Sequence, residues 1–327
     1  MPAEAKEKNV QRLIIIKKNI VMKKNIVIRF ASAGFICFVL LLGSCKKDRV
    51  PQDDFQDMDS FYNQHKEEEQ EFIIDSTGSC PVIARKGTKF CVSADMFLNG
   101  SGAGINYPFF LRVVELYSMK DMILWRLPSI SSGTILETSA EIRTRTLKGT
   151  DELVLKPGRA YYMELDTMPV LNNNMEAFYG YNSGSIVDWT NNLSSIISGF
   201  VDTLSAVSVN PYFYSLSVAR MGWISAARQH VSANPNTRVS LTAQGNNTQN
   251  IEVFIIFNGF KGLMKVNNLV SDLVPVGSQV TLIAFAKNQN NDFLLYQQAF
   301  VVSANQQITL NFQTISESDL LNRLESL

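Results

Sequence analysis

The stretch Glu141–Thr146, EIRTRT, alternates Glu, Arg and Arg with Ile, Thr and Thr. A period of two marks a β-strand with one wet face. The neighbouring sequence has the same character. On the C-terminal side, Leu153–Leu155, a Lys156-Pro157-Gly158 turn and Arg159–Asp166 read as a hairpin, and MEAFYGY at Met175–Tyr181 reads as a further strand. On the N-terminal side, Phe109–Tyr117, FFLRVVELY, is a strand by content, and Asp121–Trp125 continues it after a short break. Thr88–Val92 runs into the turn cluster Asn99–Gly104, and Glu71–Asp75 opens the series. Short strands with turn signals every 8–12 residues predict a β-sandwich over residues 71–185.

The rest of the body follows the same grammar. Residues 186–210 have no clear period and are expected to form a linker, with a short helix around Leu193–Val201. From residue 211 to 327 a second β-rich domain is expected. Its strands are Thr237–Leu241, Ile251–Phe257, a hairpin of Gln279–Ala286 and Phe293–Val301 around the Asn288–Asp292 turn, and Gln307–Phe312. Ser316, three residues before Asp319, opens a short C-terminal helix. The fold class is therefore mainly β: two β-sandwich-like domains and a terminal helix.

The N-terminus is of a different kind. Lys23, Lys24 and Arg29 precede an apolar run of 13 residues, Phe30–Leu42, broken only by Ser32 and Gly34. A bilayer span needs ~20 apolar residues, so this run has the length of a signal-peptide core. Leu42-Gly43-Ser44-Cys45 follows and resembles the bacterial lipobox. Small residues fit a peptidase pocket there, and the Cys45 thiol is the expected site of lipid attachment. Residues 1–44 are read as the signal, with Met22 as its expected start, because the lysine pair Lys17-Lys18 would otherwise make the basic region unusually long. Residues 45–70 carry eight acids against four bases and Pro51, and are expected to form an acidic tether.

The whole chain has a formal charge of zero, yet the segment 1–44 holds eight Lys/Arg and two Glu, so the mature body carries a net charge of −6. An acidic body argues against nucleic acid as a partner. Cys80 and Cys91 remain in a compartment that permits disulfides. They flank CPVIARKGTKFC, where a two-residue Lys86-Gly87 turn sets Cys91 opposite Val82, diagonal to Cys80. A bridge there needs a small register change; two unpaired cysteines are the alternative.

The blocks GTKFCVSADMF, VVELYSMKDMIL, GTILETSAEI, LKPGRAYYMEL and MEAFYGY, taken in order, resemble an uncharacterised family of two-domain Bacteroidetes cell-envelope lipoproteins. Lys46-Lys47-Asp48 after the lipobox is similar to the start of many Bacteroidetes lipoproteins. The resemblance spans about 100 residues and extends to the second half through Gly222-Trp223-Ile224. The sequence departs from the family pattern at Ser139-Ala140 and Ser225-Ala226-Ala227. The resemblance implies an envelope location and no particular chemistry.

The catalytic candidates are few. His65 falls in the expected tether and His230 in a polar loop, and no serine has a G-x-S-x-G context. Glu115, Glu137, Glu141 and Glu164 lie on or beside expected strands and are the carboxylates a glycosidase would draw on. Glu115, between Val113 and Tyr117, would be a functional flag if those neighbours face the core, but is expected to be a solvated or salt-bridged strand residue, and Glu137 is expected to pair with Arg143 or Arg145. No spacing suggests a metal or nucleotide site, and no cofactor is expected. Tyr161, Tyr179 and Tyr181, among clustered aromatics, are the expected binding surface. These readings lead to an outer-membrane-anchored module of the cell envelope. It would be held in the bilayer through acylated Cys45 and would bind an envelope protein or glycan without catalysis. A glycan hydrolase with paired carboxylates and an accessory subunit of a transport complex are the alternatives.

Overall fold

The computed structural model describes residues 55–77, 80–166, 172–183, 186–195, 205–245 and 248–327. Leu42, Gly43, Ser44, Cys45 and residues 46–54 lie outside them. The described chain is mainly β, with antiparallel sheets and three short helices. The helices are α1 (Asp59–His65), α2 (Met119–Leu124) and α3 (Glu317–Glu325).

Two sheets form the first sandwich. The inner sheet runs in the order Gln70–Ile74, Phe109–Leu116, Thr134–Lys148, Gly222–Gln229, Glu176–Ser183, Ile186–Thr190. The outer sheet runs Ala206–Asn210, Phe213–Val218, Tyr161–Asp166, Lys89–Cys91, Val82–Ile83. Between them lie Phe90, Phe109, Leu111, Ile142, Met163 and Leu216, all removed from water. The boundary expected at residue 211 is therefore corrected. Phe213–Val218 and Gly222–Gln229 pair with Tyr161–Asp166 and Thr134–Lys148, so the first sandwich reaches residue 229. The expected linker 186–210 supplies two strands of the same sandwich; of the helix expected around Leu193–Val201, Leu193–Ser195 is a 3₁₀ turn and residues 196–201 lie outside the described residues. The cause is visible in Phe213–Val218, where strict burial of every second residue demands a covered sheet face.

Other local expectations also change. The Lys156-Pro157-Gly158 turn closes with Arg159 N–H donating to the Lys156 carbonyl (3.0 Å), but its flanks do not form a hairpin. Val154–Leu155 pairs with Phe97–Leu98, while Tyr161–Asp166 pairs with strands far away in sequence. Asp121–Trp125 is helical, not extended. Ser118 Oγ accepts from Asp121 N (3.1 Å) and the Asp121 carboxylate accepts from Ser118 N (3.0 Å), a reciprocal capping box that starts α2. Cys80 and Cys91 are joined, Cα atoms 4.9 Å apart. The register change that the bridge needed is present: Val82 faces Phe90, and Gly87 turns the chain at φ +97°.

The acidic tether is shorter than expected. Phe55, Met58, Phe61 and Tyr62 recur at three- to four-residue spacing and are all buried, while Asp57 and Asp59 point outward. Part of the expected tether therefore belongs to the fold, and its residues 45–54 lie outside the described residues.

The second lobe is built on a five-stranded far sheet: Leu263–Lys265, Glu252–Phe257, Gln279–Lys287, Phe293–Val301 and Gln313–Ile315. The expected hairpin closes as read, with Lys287 opposite Phe293. One face of this sheet, carrying Met264, packs on Val239 and Ile308, beside the parallel pair Ser240–Ala243 and Gln307–Leu310. Its other face meets the inner sheet across a shared core. Val114, Leu116 and Trp189 come from the inner sheet, Phe254 and Phe285 from the far sheet, and Phe61 and Leu320 from α1 and α3. Backbone bonds cross the junction as well: Ser129 N–H donates to Leu263 O, and Thr138 N–H to Lys261 O, both at 2.8 Å. The inner sheet is thus covered on both faces over part of its area.

Candidate functional site

The partial cover creates the site. Cross-strand register lines up rows of side chains on the face of the inner sheet that meets the second lobe. One row is Leu116, Glu141, Ser225, Phe178, and it lies under the second lobe. The next row is Val114, Arg143, Trp223, Gly180, and Arg112 faces Arg145 one row further on. Residues two apart on a strand share a face, so Glu141, Arg143 and Arg145 point the same way. Glu141 is fully buried and Arg143 and Arg145 are half exposed. The cover ends at Trp125, at the end of α2, whose ring meets Trp223 edge-on at 5.3 Å.

Beyond that contact opens a groove of about 670 Å³. Its floor is Arg143, Arg145 and Trp223. Its walls are the Leu153–Pro157 segment, the Ala219–Gly222 turn and the Tyr181-Asn182 end of a strand. Gly180 is required here: a Cβ at this position would stand 2.7 Å from the Trp223 Cβ, closer than packed carbons come.

Four cationic side chains line the groove, Arg143, Arg145, Lys156 and Arg220, against one carboxylate, Glu152. Arg145 is already matched by Glu152 at 3.0 Å and Glu69 at 3.6 Å, and Lys156 Nζ donates to the Asp95 carbonyl at 2.7 Å. The other two are not matched. Arg143 lies 6.0 Å from the Trp223 ring centre and has no acid in ion-pair range among the described residues. Arg220 is half-buried, and its Nη1 is sealed from solvent with no hydrogen-bond partner among the described residues. Burial lowers the Arg220 pKa from its ordinary value.

The residues singled out from sequence lie elsewhere. Tyr161 and Tyr179 are core residues, a correction to the expected binding surface. The Tyr161 hydroxyl meets Thr144 Oγ1 at 2.9 Å, and Tyr179 Oη accepts from Ala219 N at 3.2 Å. The alternation of Tyr161 with Tyr162 sends Tyr162 to the exposed side. Tyr181 does reach the groove, and its hydroxyl donates to Asp188 Oδ2 at 3.0 Å.

None of the four candidate carboxylates lines the groove. Glu115 is buried rather than solvated or salt-bridged; it accepts from Gln70 Nε2 (2.8 Å), Lys86 N (2.8 Å) and Thr88 N (3.1 Å), and so holds the disulfide hairpin against the inner sheet. Glu137 pairs with Arg228 at 2.6 Å and His230 Nδ1 at 2.9 Å rather than with Arg143 or Arg145, because the neighbouring strand brings Arg228 opposite it. Glu164 pairs with Lys89. Glu141 accepts from Ser129 Oγ at 2.9 Å, and burial raises its pKa to about 8. His65 Nε2 meets Glu317 Oε1 at 2.7 Å beside the Phe61 ring, so it belongs to the α1–α3 junction. Among the described residues no cluster of three His, Cys, Asp or Glu is arranged to hold a metal, and no helix is long and apolar enough to cross a membrane.

Neither a protein-family model nor a curated protein matches the chain. Sequence reading passed over Arg143, Arg220 and Trp223. The signal available was the wet face of EIRTRT, where two arginines follow each other at strand spacing.

Proposed function

We propose that the chain is an envelope lipoprotein, anchored in the outer membrane through acylated Cys45, whose body is a non-catalytic binding module that holds its ligand in the groove. The observation that carries this reading is the pair of unmatched guanidinium groups, Arg143 and Arg220, beside Trp223 in an open cavity. Unmatched buried charge costs stability, and a ligand that meets it offsets that cost. A hydrolase with two carboxylates is disfavoured by the groove's acid content, since Glu152 stands alone there and is occupied by Arg145.

The anchor rests on the segment Met22–Cys45. Membrane fractionation and intact mass test this directly. The native protein is expected in the membrane fraction as an acylated chain starting at Cys45, and Cys45→Ala is expected to release it. A soluble chain that retains residues 22–44 refutes the anchor.

A further inference from the structure

The groove's chemistry goes further than binding in general. This step rests on the binding-module reading above. Inside a body with a net charge of −6, the groove gathers four cations against one acid, and two of the cations have no ion-pair partner among the described residues. A planar guanidinium suits the two oxygens of a carboxylate or phosphate. Arg143 lies opposite Trp223 in register, 6.0 Å from the ring centre, which limits the directions it can take. Arg220 comes from the Ala219–Gly222 turn that forms one wall, so both guanidinium groups line the same groove.

The surroundings decide the size and kind of molecule. A volume of about 670 Å³ lies in the range of small-molecule sites, roughly 300–1,000 Å³. The site sits on the face of three strands that are already paired on both sides, Thr134–Lys148, Gly222–Gln229 and Glu176–Ser183. An extended peptide therefore has no free strand edge to join there. Beyond the cations the lining offers an indole, the Tyr181 phenol and the Asn182 amide, groups that suit a ring bearing hydroxyls.

We propose that the groove is a binding site for a small acidic saccharide of one to three rings, its carboxylate or phosphate group held between Arg143 and Arg220. The binding is a charge-assisted contact in a partly dry site, so it weakens with added salt.

Calorimetric titration of the detergent-solubilised full chain tests this with four probes: digalacturonate, glucose 6-phosphate, uncharged lactose and inorganic phosphate. Digalacturonate or glucose 6-phosphate is expected to bind about tenfold or more tightly than lactose, and Arg220→Gln and Arg143→Gln are each expected to weaken that binding about tenfold or more. Arg85→Gln, on the exposed hairpin loop, leaves it unchanged. Preference for the uronate or for the phosphate ester identifies the anionic group. Arg220→Met is expected to raise the unfolding temperature while abolishing binding, because it removes an unmatched buried charge; that readout does not depend on which probe binds. Inorganic phosphate binding as tightly as the sugar phosphate overturns the saccharide assignment, as does stronger competition by a glutamate hexapeptide. Lactose binding that is lost in Trp223→Ala but untouched in both arginine variants overturns the anion and leaves the binding module standing. Failure of all four probes to bind overturns the proposal.

Discussion

Glu141→Gln is the substitution whose effect can be worked most fully. The carboxylate is fully buried at the junction of the lobes. Ser129 Oγ donates to Oε1 at 2.9 Å, and Oε2 has no partner. Lys261 is close enough to favour the ionised acid but not within ion-pair distance. Its ammonium donates instead to the carbonyls of Tyr117 (2.8 Å) and Ser139 (2.7 Å), and burial lowers its own pKa. Desolvation wins: the Glu141 pKa rises from 4.5 to about 8. Between those values the folded chain holds a proton that the unfolded chain has released, so stability falls as pH rises through the window. Each unit costs about 1.4 kcal/mol. The wild-type protein therefore loses about 3 kcal/mol by pH 7 and about 5 kcal/mol by pH 9 relative to pH 4, from this group. Glutamine keeps an oxygen for Ser129 and carries no charge at any pH. Urea unfolding followed by tryptophan fluorescence, with buried Trp189 as reporter, should show the two proteins alike near pH 4. The variant should then be ahead by about 3 kcal/mol at pH 7 and further ahead at pH 9. A wild type more stable than the variant at pH 9 would refute the reasoning, because it would mean that Glu141 is ionised and paired with Lys261.

Glu115→Ala removes the acceptor of two backbone N–H groups and one amide, and is expected to cost about 3 kcal/mol in urea unfolding, with Glu115→Gln recovering part of it. The double change Cys80→Ser, Cys91→Ser opens a loop closed across a separation of 11 residues and should lower stability by about 2–3 kcal/mol; equal stability of the oxidised and reduced wild type would count against a formed bridge. Phe61→Ala empties a fully buried site between α1 and the far sheet, with Phe293 at 5.3 Å, and should cost about 3–5 kcal/mol, whereas a tether residue would cost nothing measurable by the same assay. Gly180→Ala pushes on Trp223 and should cost about 1–3 kcal/mol and shift the tryptophan emission; an unchanged spectrum would mean that the close approach is relieved elsewhere.

Strand content was legible because alternation is a local property. EIRTRT, FFLRVVELY and QVTLIAFA are strands in the structure, and the Asn288–Asp292 turn joins the strands it was read to join. Partners were not legible, since pairing depends on strands distant in the chain. Tyr161–Asp166 reads as half of a local hairpin, yet its neighbours are Phe213–Val218 and Lys89–Cys91. The domain boundary at 211 failed for the same reason. Composition also masked burial: the acids of DFQDMDSFYNQH suggested a solvated tether, while Phe55 and Met58 ahead of α1 and Phe61 and Tyr62 within it are apolar residues that the cores accept. The aromatic surface was misplaced because Tyr161 and Tyr179 have hydroxyls that Thr144 and Ala219 satisfy inside the sandwich, and a satisfied tyrosine packs like any large ring.

Glu141 and Arg143 show why the site itself lay beyond sequence reading. They are two residues apart on one strand and face the same way, yet one is dry and the other is open. Alternation assigns both to a single face and cannot say how far along that face a second layer extends. The limit of cover is set by α2, whose start depends on the Ser118–Asp121 box and whose end presents Trp125 to Trp223. A further turn of helix that covered Arg143 would take it out of water. The guanidinium would then need a carboxylate or would not be tolerated. The turn is not there, Trp223 closes the shared core at its margin, and Arg143 and Arg220 are left with space in front of them. The same sheet face thus raises a carboxylate pKa where it is covered and leaves two cations unmatched where the cover ends. The stability experiment on Glu141 and the binding experiment on Arg220 therefore probe one boundary from its two sides.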